Sequence, residues 1–108
     1  MEQITMQLIV NSGDARSKAM EAIGIAKNGE ISKARKYLEE AKEYLAKAHQ
    51  FQTDMIQEEA DGNVEKITML MAHAQDHLMN AITVIDLARE FVDLYEKISK
   101  HEGKSKVL

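Results

Sequence analysis

The decapeptide MAHAQDHLMN, residues 71–80, holds His73, Asp76, His77 and Asn80. On a helix, residues three and four apart share a face, so these four polar side chains line one edge of an otherwise apolar element. Three kinds of chemistry fit such an edge. Two imidazoles and a carboxylate are borderline ligands for Zn²⁺, but a zinc protease needs Glu directly after the first His, where this chain has Ala74. A di-iron bundle is excluded in the same way, because Leu70 and Ala74 stand three residues before each His, where Glu is required. The second possibility is a nucleophilic imidazole. At an ordinary pKa of about 6.5 the ring is largely neutral at pH 7, and one nitrogen is available to attack phosphorus. The third is structural, with both histidines simply accommodated at the edge of a helical seam. Gln75 points about 200° away from His73 at roughly 100° per residue and does not join the cluster within one chain.

Helices must position this group. The chain has no proline and only 5% aromatic residues in 108. Ala, Leu, Ile, Met, Glu and Lys dominate, which favours an all-α fold over a sheet. Its length supports one core. Asn28-Gly29 offers a left-handed helix stop and Asp61-Gly62-Asn63 a second turn, giving an antiparallel three-helix bundle over residues 1–103 with a disordered tail over 104–108. The helices are expected near Gln3–Asn28, Glu30–Ala60 and Val64–Lys100.

The second helix carries Ile31, Ala34, Leu38, Ala41, Leu45, Ala48, Gln52 and Met55 at spacings of three and four, a seam broken only at Gln52. The third repeats the pattern as Ile67, Leu70, Ala74, His77, Ala81, Val84, Ala88, Phe91, Tyr95 and Ile98. The first is less regular, with Asn11-Ser12-Gly13-Asp14 in its middle. Helix three also carries Met71, Leu78, Ile85 and Val92 on one flank of its seam and Leu87 and Leu94 on the other. That arc is wider than a three-helix monomer buries, and it predicts a homo-oligomer centred on the third helix.

Net charge is −4, with basic and acidic residues interspersed. The phosphate-neutralising stripe of a nucleic-acid binder is missing. With no cysteine there is neither a disulfide framework nor a thiolate site, and a cytoplasmic location is expected. MEQITMQLIV lacks the basic start and apolar run of a signal peptide.

The run MAHAQDHLMNA, preceded by VNSGDARSKAMEA in helix one and AHQFQTDMIQEEADG at the end of helix two, resembles the enzyme IIA component of the lactose/cellobiose class of the bacterial phosphoenolpyruvate-dependent sugar phosphotransferase system. The resemblance extends from about Ile4 to His101, and GKSKVL carries none of it. It implies an all-α homotrimer of three-helix subunits assembled through the third helix. It implies that His73 takes the phosphoryl group on Nε2. The phosphocarrier protein HPr would donate that group and a cysteine of the cognate enzyme IIB would receive it, with the membrane enzyme IIC an indirect partner. Asp76 matches the aspartate that three subunits share around one divalent ion, usually Mg²⁺.

His77 is assigned a hydrogen bond near His73 or to a neighbouring helix. In helix one two readings compete: Gly13 lets a backbone approach closely and Asn11 or Ser12 offers donors to phosphoryl oxygens, or all three are packing compromises, as small and polar residues in a helix usually are. A histidine phosphotransfer domain of two-component signalling fits poorly, since it carries Lys three residues after its His, where this chain has Asp76. The remaining alternative is a structural or metal-binding helical bundle without transfer activity. Among sugars, cellobiose- or chitobiose-type β-disaccharides are preferred over lactose by the resemblance alone.

Overall fold

Three helices run up, down and up the same axis: α1 (Glu2–Lys27), α2 (Ile31–Ala60) and α3 (Met69–Val107). They form an antiparallel bundle 68 Å long and 18 by 16 Å across. The computed structural model describes the backbone of residues 1–107 and the side chains of residues 1–102; the tail expected over 104–108 lies outside this fully described part.

Both reversals are made by the glycine stops. Gly29 takes φ +88°. Its N–H donates to the Ala26 carbonyl at 2.9 Å, and the Glu30 N–H reaches the Ile25 carbonyl at 3.2 Å. That pairing satisfies carbonyls which the end of α1 would otherwise leave open. α2 ends alike: Gly62 has φ +77°, its N–H meets the Glu59 carbonyl at 3.1 Å, and the Asn63 N–H meets the Glu58 carbonyl at 3.0 Å. A side chain at either glycine would strain the backbone.

The start of α3 corrects the sequence expectation. The helix begins at Met69, not Val64, and residues 63–68 cross the end of the bundle without regular structure. Thr68 is the reason. Its Oγ1 accepts the Met71 N–H at 3.1 Å, and its carbonyl accepts the Ala72 N–H at 3.1 Å. A hydroxyl that caps an open donor is worth more at the helix entrance than inside it, where it competes with the backbone. His73 therefore stands in the second turn of α3.

The face of α3 that packs is also rotated from the expected one. Of the expected seam, Ala74, Ala81 and Ala88 are fully buried, whereas Ile67, Leu70, Phe91 and Ile98 are exposed. Met71, Leu78, Ile85 and Val92, expected as a flank, turn inward in their place. Facing them are small side chains: Ala15, Ala19, Ala22 and Ala26 on α1, and Ala34, Ala41 and Ala48 on α2, all buried. Alanine tracks let helices approach closely, and the larger α3 side chains fill the layer that remains. The core falls into two clusters, one from Ala15 upward and one around Leu8, Met55, Met71 and Leu78, with Ser12 between them on α1.

Three cross-helix ion pairs hold the far half of the bundle: Lys18–Glu40 at 3.1 Å, Arg35–Asp93 at 3.0 Å and Arg35–Glu96 at 3.1 Å. The bond to Glu40 raises the Lys18 ammonium above its usual pKa, and the bond to Asp93, then that to Glu96, does so for Arg35. These pairs are partly exposed, so they orient the helices more than they stabilise them. No helix among the described residues is long and apolar enough to cross a membrane.

The Thr68 cap makes a testable contribution. Thr68→Ala is expected to cost about 1 kcal/mol in urea or thermal unfolding, and Thr68→Ser to restore most of it.

Candidate functional site

The inward turn of Met71, Ala74 and Leu78 decides where the polar edge points. Residues 73 and 76 then face away from the core, and both side chains are exposed. His77 is half-buried, one turn after His73 on the same face. The two imidazoles meet: Nε2 of His77 lies 3.0 Å from Nε2 of His73, with ring centroids 4.4 Å apart and planes at 87°. One ring donates and the other accepts, as the tautomers require. Asp76 and His73 line a shallow hollow of about 340 Å³ with Met69, Leu70 and Ala72. Met69 is 86% exposed at its mouth.

This arrangement suits a transferable group better than a metal within one chain. Among the described residues no group of three His, Cys, Asp or Glu side chains is placed to hold an ion. A zinc site built from His73, Asp76 and His77 of one subunit therefore has no geometric support. An exposed imidazole whose Nε2 meets one neighbouring ring becomes a competent nucleophile when it is neutral and that contact opens.

In helix one the fold favours packing within the subunit. Asn11 is buried, but its amide donates back to the Gln7 carbonyl at 2.8 Å and to Gln7 Oε1 at 3.3 Å. Ser12 is wholly buried, and its Oγ has no hydrogen-bond partner. A Cβ added at Gly13 would meet nothing within 4 Å, so within the chain this glycine serves no close backbone approach. Burial and local bonding thus turn Asn11 and Ser12 inward within the subunit, while Val10 and Asp14 stay exposed.

The structure also pairs two residues that the sequence reading kept apart. Gln52 Nε2 donates to Gln75 Oε1 at 2.9 Å between α2 and α3, partly buried. Gln52 was visible as the one break in the α2 seam, and Gln75 as the polar residue pointing away from His73. A polar side chain in an apolar seam needs a partner, and these two interruptions lie at the same height of the bundle. The pair fixes the second turn of α3 against α2, directly behind the ring of His73.

The family model described as "PTS system, Lactose/Cellobiose specific IIA subunit" matches residues 3–96. The chain belongs to the lactose/cellobiose-specific IIA family of the phosphotransferase system. It is similar to the lichenan-specific phosphotransferase enzyme IIA component of Bacillus subtilis, with 55% identity covering 97% of this chain and 96% of that one. The crystal structure of the cellobiose-specific enzyme IIA from Bacillus anthracis superposes with a TM-score of 0.86 at 56% identity, covering 92% of this chain and 91% of the other. The IIA(chitobiose) subunit solved in complex with HPr from Escherichia coli gives a TM-score of 0.79 at 36% identity, covering 91% and 95%. The three-helix architecture is thus that of the solved IIA proteins.

For this IIA chain the half-buried amide pair can be tested directly. Gln52→Ala leaves Gln75 without its partner and is expected to cost about 1–3 kcal/mol in chemical denaturation. With Gln52→Leu and Gln75→Leu as the single variants, the double variant Gln52→Leu/Gln75→Leu is expected to lose much less than their sum, giving a coupling of about 1 kcal/mol in a double-mutant cycle.

Proposed function

We propose that this IIA protein is a cytoplasmic phosphoryl relay that accepts phosphate from phospho-HPr on His73 and passes it to a cysteine of the cognate enzyme IIB. The observation that carries the reading is an exposed imidazole, in the second turn of α3, whose Nε2 meets Nε2 of His77 at 3.0 Å. In the first transfer the lone pair on His73 Nε2 attacks phosphorus. The new N–P bond forms as the donor's N–P bond breaks, and the donor ring leaves as neutral imidazole. In the second, the thiolate of enzyme IIB attacks, an S–P bond forms, and His73 returns to the neutral ring. Both steps are in-line displacements through a loose transition state, for which the protein supplies position more than chemistry.

His77 has a positioning part in this scheme. When its Nε2–H donates to His73, the His73 proton is held on Nδ1 and the lone pair on Nε2, which is the reactive tautomer. The contact must open before phosphorus approaches. Near the start of α3 the positive end of the macrodipole gives the transferred phosphoryl group a modest favourable field. No ion pair engages His73, Asp76 or His77 among the described residues, so the group is held loosely enough to be passed on.

The unit proposed for this work is a homotrimer through α3. Leu70, Leu87, Phe91, Leu94 and Ile98 line the outward face of that helix, and Leu87 and Leu94 keep 52% and 50% of their surface. From Leu87 to Ile98 this is an exposed apolar stripe of three helical turns, which marks an interface. Asp76 lies on the same outward side as His73. Three copies of its carboxylate around a threefold axis would repel one another unless neutralised, and a hard cation with oxygen ligands, Mg²⁺, suits them. One chain contributes one such carboxylate, so the ion belongs to the assembly and structural neutralisation is its role. The relatives' names point to uptake of a β-disaccharide of the cellobiose or chitobiose type as the process served.

Incubation with phosphoenolpyruvate, enzyme I and HPr is expected to place one acid-labile phosphoryl group on His73. His73→Ala abolishes the label and His77→Ala retains it at a reduced rate; label that survives His73→Ala refutes the assignment. Sedimentation is expected to give three times the 12.2 kDa chain mass at micromolar concentration. Asp76→Leu is expected to keep that mass without bound metal and to melt no lower than wild type, because apolar replacement of crowded buried charge is neutral or stabilising. Dissociation of this variant would place Asp76 outside the interface.

A further inference from the structure

Charge is spread unevenly along the rod. Residues 54–66, at the end that carries His73, hold Asp54, Glu58, Glu59, Asp61 and Glu65 against Lys66 alone, a formal −4 that equals the charge of the whole chain. The opposite end is basic. There the turn between α1 and α2 lies against Ile98 and Ser99 of α3, which brings Lys27, Lys33 and Lys36 to the same end as Lys97 and Lys100. All five lysines are exposed, and among the described residues none of them takes part in an ion pair. Asp93 and Glu96 are engaged by Arg35, so the carboxylates left to face these lysines are Glu30 on the turn and Glu102 on α3. The final GKSKVL adds two more lysines and no acidic side chain.

Helix electrostatics explains only one of the five. Lys27 stands in the last turn of α1, where the dipole favours a cation. Lys33 and Lys36 stand in the first two turns of α2, where it favours carboxylates, and the first turn contains none. Lys97 and Lys100 precede the end of α3 at Val107 by more than the single turn over which its dipole acts. Cations set against or outside the helix fields are left to act on charge beyond the molecule. The blunt end of a bundle 18 by 16 Å across offers no exposed aromatic ring among its described residues on which a base could stack. Its complement is a broad anionic surface.

We infer that this basic end, formed by Lys27, Lys33, Lys36, Lys97 and Lys100, docks on the anionic headgroups of a phospholipid bilayer and holds the rod upright, with His73 at the end away from the membrane. Lysines near an anionic leaflet each add to binding, and a cluster of about four to eight is enough for recognition. The acidic stretch at the other end is repelled by the same surface, so the field orients the rod as well as attracting it. α3 spans about 36 Å between His73 and Lys97 at roughly 1.5 Å per residue. That is more than about three Debye lengths at roughly 0.1 M salt, so the imidazole stays clear of the headgroups. In a trimer about an axis along α3 the three basic ends lie side by side, and their contacts add.

Binding is tested on the full chain with vesicles of phosphatidylcholine containing about 30% phosphatidylglycerol. The chain is expected to co-sediment with them in about 0.05 M salt, to be released in about 0.5 M salt, and to ignore vesicles of phosphatidylcholine alone. Lys33→Gln, Lys36→Gln, Lys97→Gln and Lys100→Gln together are expected to lower partition about tenfold. That variant should keep its helix content and its rate of phosphorylation from HPr, because none of the four lysines touches the core or His73. Orientation is read separately. The chain has no cysteine, so Ser32→Cys and Thr53→Cys each carry a single fluorophore, and a lipid-borne quencher should dim the dye at 32 and spare the one at 53. Undiminished partition of the four-site variant, equal quenching at the two positions, or a wild-type chain that stays in solution overturns the membrane end. Retention on a duplex oligonucleotide in place of the vesicles overturns it as well.

Discussion

The packing of large α3 side chains against alanine tracks on α1 and α2 governs everything else in this molecule. Met71, Leu78, Ile85 and Val92 lie seven residues apart and fill a layer that Ala15, Ala19, Ala22, Ala34 and Ala41 keep thin. Such a layer admits one rotation of α3 without voids or clashes, because interiors are packed nearly as densely as crystals of small molecules. That rotation turns His73 and Asp76 to solvent, leaves His77 half-covered beside them, and sends Leu87, Phe91 and Leu94 outward. The candidate site and the outward apolar stripe of α3 are two consequences of a single packing choice.

The two halves of the rod are built differently. The far half, around Ala15 to Val92, is alanine-rich and laced by ion pairs between helices. The near half carries His73 and His77, the half-buried amide pair, and exposed methionine and isoleucine side chains. Rigid scaffold and reactive end are thus separated along the axis. Methionine and short loops at the reactive end offer an adaptable surface to partners that must bind and leave, while the Gln52–Gln75 bond and the Thr68 cap keep the turn bearing His73 in place.

Much of the candidate site was legible from residue order. The spacing of His73, Asp76, His77 and Asn80 required a common helix face, and the resemblance singled out His73 among them. The contact between the two imidazoles follows from spacing of four on a helix. The Gln52–Gln75 bond was harder to see. Each glutamine appeared only as an interruption of its own seam, and spacing along one helix says nothing of which residue on another helix lies opposite. For Asn11 and Ser12 the residue types left two readings open, pocket donors or packing compromises, and within one subunit the fold favours packing: both are buried, and Asn11 bonds back to Gln7.

Local sequence determined the number of helices, both glycine reversals and the all-α class, because propensity, missing proline and left-handed stops act within a few residues. It also placed the polar quartet on one helix. Tertiary structure alone decided that α3 starts at Met69, since Thr68 caps a helix only where the chain has already turned the end of the bundle. It alone decided which stripe of α3 goes inward. The third helix is apolar over so wide an arc that hydrophobic periodicity is satisfied by more than one rotation, and the volumes of the facing alanines chose between them.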